Sequence, residues 1–179
     1  MSDRDAYDAL PKVELHCHVE GTVLPATVVE LARKNGVSLP TEDPTELYRY
    51  HSLDSFLDIC CLVQSLLVDA DDWERAAYES LVDAAPHGLR YREMFFTPAR
   101  HLAAGQRLRD IVEGLSRGIA RAEAETNVRA MLICDMDRAY EPRRRSSGVD
   151  VDAGSAAAAA FGDVDGVSEI GRASCRERV

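Results

Sequence analysis

Residues 10–22 read LPKVELHCHVEGT, and the fold is decided there. Apolar and polar residues alternate from Lys12 to His18, the period of a β-strand with two unlike faces. Pro11 stands at the entry, where a strand tolerates a residue without an N–H. After Glu20, Gly21 and Thr22 the period changes. Thr22 is placed to cap a helix with Pro25 in its first turn and Val28, Val29, Leu31 and Ala32 behind it, ending at Asn35 and Gly36. A strand, a loop and a helix in that order open a β/α unit.

The same unit recurs further along. Residues 37–51 are turn-rich, with one short helix expected at 45–50, and residues 52–68 place Phe56, Ile59, Cys60, Val63 and Leu67 on one helical face. Another helix begins at Asp71 or Asp72, carries Trp73, Ala76, Ala77, Leu81 and Ala84, and ends near Pro86, where proline breaks the hydrogen-bond ladder. LRYREMFF at 89–96 alternates again and forms a second strand. Residues 108–125 set Ile111, Leu115, Ile119 and Ala122 on one helical face, and VRAMLIC at 128–134 is the nearly continuous apolar run of a strand in a parallel sheet. With the short helix at 45–50 left aside, the order β-α-α-α-β-α-β defines an α/β protein whose parallel sheet is wrapped by helices.

The chain has 179 residues, enough for one core but short of the roughly 250 that a closed eight-unit α/β barrel needs. A net charge of −10, from 31 acidic against 21 basic residues, repels phosphate backbones, so no nucleic-acid partner is expected. No apolar run reaches the about 18 residues of a membrane span, and the start MSDRDAYDALPK is charged where a signal peptide is apolar. A cytoplasmic protein without a membrane partner is expected. Cys17, Cys60, Cys61, Cys134 and Cys175 include no CxxC pair and read as reduced thiols without disulfides.

The character of the chain changes after Pro142. Residues 143–168 combine arginines with a small-residue run that has no periodicity, and are expected to be disordered or aberrantly translated. The last eleven residues, EIGRASCRERV at 169–179, match at every position the translation of an adapter string read as (G)AG ATC GGA AGA GCG, and are set aside as a scar. Residues 1–142 carry the functional reading.

Strand alternation puts His16 and His18 on one face and Cys17 on the other. Two neutral imidazoles on one face can hold a zinc ion, each nitrogen at about 2.0–2.1 Å. The plain alternative is a pair of exposed loop histidines, but the pair ends a strand, and α/β barrels carry their active sites at the C-terminal strand ends. Catalytic zinc takes three protein ligands and an open position, yet no other histidine ends a strand. His51 precedes a helix, His87 lies in a helix-terminal turn and His101 falls in a polar loop, so all three are expected at the surface. Cys60 and Cys61, adjacent on a helix, diverge by about 100° and read as packing residues.

The stretch at 10–22 resembles the N-terminal metal motif of the adenosine deaminase family, zinc aminohydrolases acting on adenosine, adenine or AMP. The likeness extends to SLDSFLD at 52–58 and YREMFFTP at 91–98, and covers about residues 8–142. It implies the N-terminal portion of a (β/α)8 TIM-type barrel of the metal-dependent hydrolase kind, truncated after about three strands. It implies Zn2+ as cofactor with His16 and His18 as ligands, and a purine-binding set of His18, Glu20, Gly21 and Phe56. Glu20 would stand near the ribose or the purine edge, and Phe56 would line the apolar side of the pocket. The third histidine ligand, the glutamate acid and the other catalytic groups come from later strands in the family, so no catalytic residue and no turnover are expected of this chain. Two positions depart from adenosine deaminases: Glu20 stands where they carry Asp, and Phe95 where they carry Arg, both nearer to the adenine deaminase branch. The implied reaction is hydrolytic deamination of a small-molecule 6-aminopurine. Adenosine to inosine plus ammonia is the first expectation and adenine to hypoxanthine the second; a non-catalytic α/β fragment or another metal-dependent amidohydrolase is the remaining alternative.

Overall fold

Three parallel strands and the helices that connect them make up the computed structural model, which describes residues 6–7, 10–41 and 43–135. Strands β1 (Lys12–His18), β2 (Leu89–Phe96) and β3 (Arg129–Cys134) lie side by side in that order. Parallel neighbours need long crossovers. Helices α1 (Pro25–Asn35), α2 (Pro44–Leu47), α3 (Leu53–Leu66) and α4 (Ala70–Ala84) fill the first, and α5 (Ala99–Ala103) and α6 (Leu108–Thr126) fill the second. The expected α/β order therefore holds, with all three strands placed to within about a residue. Segments 143–168 and 169–179 lie outside the described residues. No helix among the described residues is long and apolar enough to cross a membrane.

Local chemistry fixes most helix ends. Ser52 accepts from the Ser55 N–H and Ser55 answers at the Ser52 N–H, a capping box that starts α3; Asp69 and Asp72 do the same for α4. Gly36, at φ 66°, closes α1 in the left-handed region, and Asn127, at φ 60°, closes α6. Thr22 does not cap α1 as expected. Its hydroxyl donates to the Val19 carbonyl at 2.8 Å and closes a 3-10 turn over Val19–Thr22, while Leu24 is the N-cap residue and Pro25 sets the first turn. Pro86 ends α4 early, as expected, and sits in a 3-10 turn over Ala85–His87. Helix α5 was not anticipated, because five residues are too few to show a helical period.

The sheet has two unlike faces. Arg92, Met94 and Phe96 of β2 are buried toward the helices, whose Trp73, Leu81, Ile111 and Leu115 form the core. Tyr91, Glu93 and Phe95 alternate onto the opposite face, in register with Arg129, Met131 and Ile133 of β3. On that face of β1, Val13 and Leu15 remain 64% and 59% exposed. In a closed barrel it is the interior.

Candidate metal and purine site

β1 and β2 are not in simple register. Lys12 pairs with Leu89, Val13 with Tyr91, Glu14 with Arg92, Cys17 with Met94 and His18 with Phe95. Three steps along β1, from Glu14 to Cys17, thus match two along β2, which is a bulge, and bulges bend a strand and increase its twist. Paired residues share a face. Val13 therefore joins Tyr91, and His18 joins Phe95, on the open face, while Glu14 joins Arg92 and Cys17 joins Met94 toward the helices. Leu15 and His16, inside the bulge, are both exposed.

His16 and His18 converge, with their Nε2 atoms 3.3 Å apart. Phe95 stacks on His16, ring centroids 4.3 Å apart and planes within 10°, and lies 5.7 Å from His18. Side chains two residues apart on a regular strand start about 6.6 Å apart, so the rings lean together. Two nitrogens, each about 2.0–2.1 Å from a tetrahedral zinc, are separated by about 3.3 Å. The pair therefore matches one edge of a zinc tetrahedron. Partial burial pushes the His18 pKa below its ordinary value, with Asp135 opposing and His16 adding, which favours the neutral imidazole that ligates. Cys17 lies buried on the far face, as alternation required, and burial raises its thiol pKa. Among the described residues no cluster of three or more His, Cys, Asp or Glu side chains forms a complete metal site.

Glu20 follows directly and is only 1% exposed. Its Oε1 accepts the Thr97 N–H at 2.9 Å, from just beyond β2, while Oε2 is buried without a hydrogen-bond partner among the described residues. Burial raises the Glu20 pKa, the Thr97 amide counters, and Asp135 adds to the rise. Leaving a buried carboxylate oxygen unpaired costs about 1–3 kcal/mol or more, so the fold holds one acceptor ready for a donor. Among the described residues no atom lies within 4 Å of where a Gly21 Cβ would stand, so they leave the approach beside it open.

The other expected residues divide. Phe56 is 41% exposed and meets Tyr50 edge-on at 5.1 Å, which in turn meets Tyr48, and it makes no ring contact with the histidines among the described residues. His51 and His87 are exposed, as expected. His101 is not: α5 turns it inward to 2% exposure, edge-on to Trp73 at 4.7 Å. Its Nδ1 lies 3.3 Å from Gln106 Nε2, which also donates to the Leu67 carbonyl at 2.6 Å, while Trp73 Nε1 donates to Gln106 Oε1 at 3.2 Å. A hollow of about 660 Å³ between residues 38–41 and α3, lined by Glu46, Arg49 and Asp58 among others, contains none of these residues.

A parallel β/α sheet with two converging histidines at the C-terminal end of its first strand is the arrangement with which a (β/α)8 barrel carrying its site at the strand ends would open. Comparison with known proteins gives the family. The adenosine deaminase family profile matches residues 11–154, and the chain belongs to that family. It is 41% identical over 132 residues to the adenine deaminase of Streptomyces coelicolor, covering 72% of this chain and 39% of that protein. It is 34% identical over 131 residues to an adenosine deaminase of Clostridium perfringens, covering 69% and 40%. The crystal structure of an amidohydrolase from Burkholderia ambifaria, with bound zinc, is similar with a TM-score of 0.71 at 32% identity, over 78% of this chain and 39% of that one. The chain spans about 40% of the length of the curated relatives it matches.

Proposed function

We propose that His16 and His18 are two ligands of a zinc site, and that the whole protein deaminates a 6-aminopurine by hydrolysis. The observation that carries this reading is the 3.3 Å separation of the two Nε2 atoms. His16 and His18 would hold the metal, and zinc held there would lower the pKa of a bound water toward about 7, the chemistry that makes a nucleophile available at neutral pH. The chain's own residues hold and read. Phe95 backs the His16 ring, and the Thr97 amide fixes one oxygen of Glu20, whose other oxygen lacks a hydrogen-bond partner among the described residues. Gly21 leaves the approach open among the described residues, and Phe56, 41% exposed, has an apolar ring that a purine can meet.

Adenosine and adenine compete as substrates. Adenine is favoured by Glu20, whose carboxylate reaches about one methylene further than Asp and takes up room that a ribose needs. The Streptomyces relative is named an adenine deaminase, which agrees with this, while the Clostridium relative is named an adenosine deaminase and supports adenosine. The test uses a full-length family member carrying residues 11–135 of this chain. Glu20→Asp is expected to shift the ratio of kcat/KM for adenosine over adenine upward by about 10-fold or more. An unchanged ratio would mean that Glu20 does not read the sugar, and the preference for adenine would fall.

A further inference from the structure

We infer that Arg92 is a positioning residue for the histidine pair: from the helix side of the sheet it holds the bulge that turns His16 toward His18. This rests on the zinc reading above. Arg92 is 7% exposed and forms the centre of a three-element tie. Its Nε donates to Glu14 Oε2 on β1 at 2.5 Å, and its Nη1 donates to the Ser80 carbonyl at 2.9 Å and the Ser80 hydroxyl at 2.5 Å on α4.

The tie sits where the register is displaced. Lys12 with Leu89, Cys17 with Met94 and His18 with Phe95 share one offset, whereas Val13 with Tyr91 and Glu14 with Arg92 are displaced from it by one residue. Had β1 kept the flanking offset throughout, Leu15 would stand opposite Arg92, and Val13 and Leu15 would join Cys17 on the helix side. That arrangement gains apolar burial. It also leaves a buried guanidinium without its carboxylate, which a low-dielectric interior strongly disfavours. The ion pair, reinforced by Ser80, selects the displaced register, and the strand must recover its offset before Cys17. It does so at Leu15 and His16, and the bend of the bulge brings the His16 ring over Phe95 and its Nε2 to 3.3 Å from that of His18. Without the tie, β1 relaxes to regular spacing and the two rings separate.

The test measures zinc dissociation constants and Co2+ absorption spectra of the full chain. Arg92→Met keeps the stem and removes the donor fork; Glu14→Gln keeps the shape of a half-exposed side chain and removes its charge. Both are expected to weaken zinc binding on the order of tenfold and to alter the Co2+ bands. Ile111→Val, which loosens the core among the helices, is expected to leave both unchanged. Folded Arg92→Met and Glu14→Gln chains that bind zinc like the parent would overturn the inference, as would equal weakening by Ile111→Val. If Arg92→Met does not fold, Glu14→Gln decides. A parent whose zinc binding does not depend on His16 and His18 contradicts the proposed function instead. Amide exchange of the metal-free chain then decides for the clamp: faster exchange at Leu15–His18 in Glu14→Gln, with α6 unchanged, supports it, and unchanged exchange overturns it.

Discussion

Gly118→Ala is expected to destabilise the chain by about 2–3 kcal/mol, although helix propensity alone would favour it by about 1 kcal/mol. The opposing contact decides the sign. A Cβ at Gly118 would stand 2.3 Å from the Glu74 carbonyl oxygen and 2.9 Å from Ala77 Cβ, and one at Gly114 would stand 2.2 Å from the Ala70 carbonyl oxygen and 2.9 Å from Trp73 Cβ. Both glycines lie on the face of α6 that meets α4, four residues apart, where successive helical turns stack. Backbone oxygens cannot rotate aside like the end of a long side chain, so the two helices must separate along their contact. Gly114→Ala is expected to cost a similar amount, and the double variant less than the sum, because helices already parted accept the second methyl more cheaply. Gly21→Ala, with no atom of the described residues within 4 Å of its Cβ, serves as the neutral control. Urea unfolding midpoints at unchanged m-value measure the effect. Gly118→Ala equal to Gly21→Ala would contradict the close packing.

The second large effect depends on pH and belongs to His101. Burial lowers its pKa from 6.5 to about 4, the Arg100 charge adds to the fall, and the Leu67 carbonyl opposes it. Between those values the unfolded chain carries a proton on this ring that the folded chain lacks. Stability from the neutral imidazole is therefore fully present above pH 6.5, declines as pH falls, and is lost once the folded-state value near pH 4 is passed. The whole change is about 3 kcal/mol. Carboxylates titrate over part of the same range, so the measurement is the difference in unfolding free energy between the parent and His101→Gln, followed from pH 7.5 to pH 4. The parent is expected to lose most of its advantage across that window. Parallel curves would show that His101 does not hold a buried, neutral state.

Elements whose signal is local were legible in the sequence. LRYREMFF alternates over eight residues and VRAMLIC is apolar throughout, and both became strands close to the expected bounds. Elements decided by distant partners were not. The alternation in KVELHCH looks unbroken, so nothing local reveals a bulge; the residue that imposes it, Arg92, lies 78 positions away from Glu14. Val13 and Leu15, apolar and regularly spaced, would be placed in the core by pattern alone, and the displaced register exposes them instead. At the site, HxH at a strand end singles out His16 and His18 as a pair, and the structure brings their Nε2 atoms to 3.3 Å. The burial of Glu20 depends on the Thr97 amide, 77 positions along the chain, and no property of the HVEGT segment announces it. His101 was misplaced for a related reason: α5 is too short to show periodicity, yet it turns that residue onto Trp73.

The central claim is that His16 and His18 together hold zinc, and metal analysis of the 179-residue chain after equilibrium dialysis against chelator-free buffer containing micromolar zinc tests it most directly. Two imidazoles supply far less than the about 10–16 kcal/mol of a closed structural zinc site, so weak but measurable zinc is expected in the parent. The His16→Ala, His18→Ala double variant is expected to lose it. Equal zinc in the parent and the double variant would contradict the account.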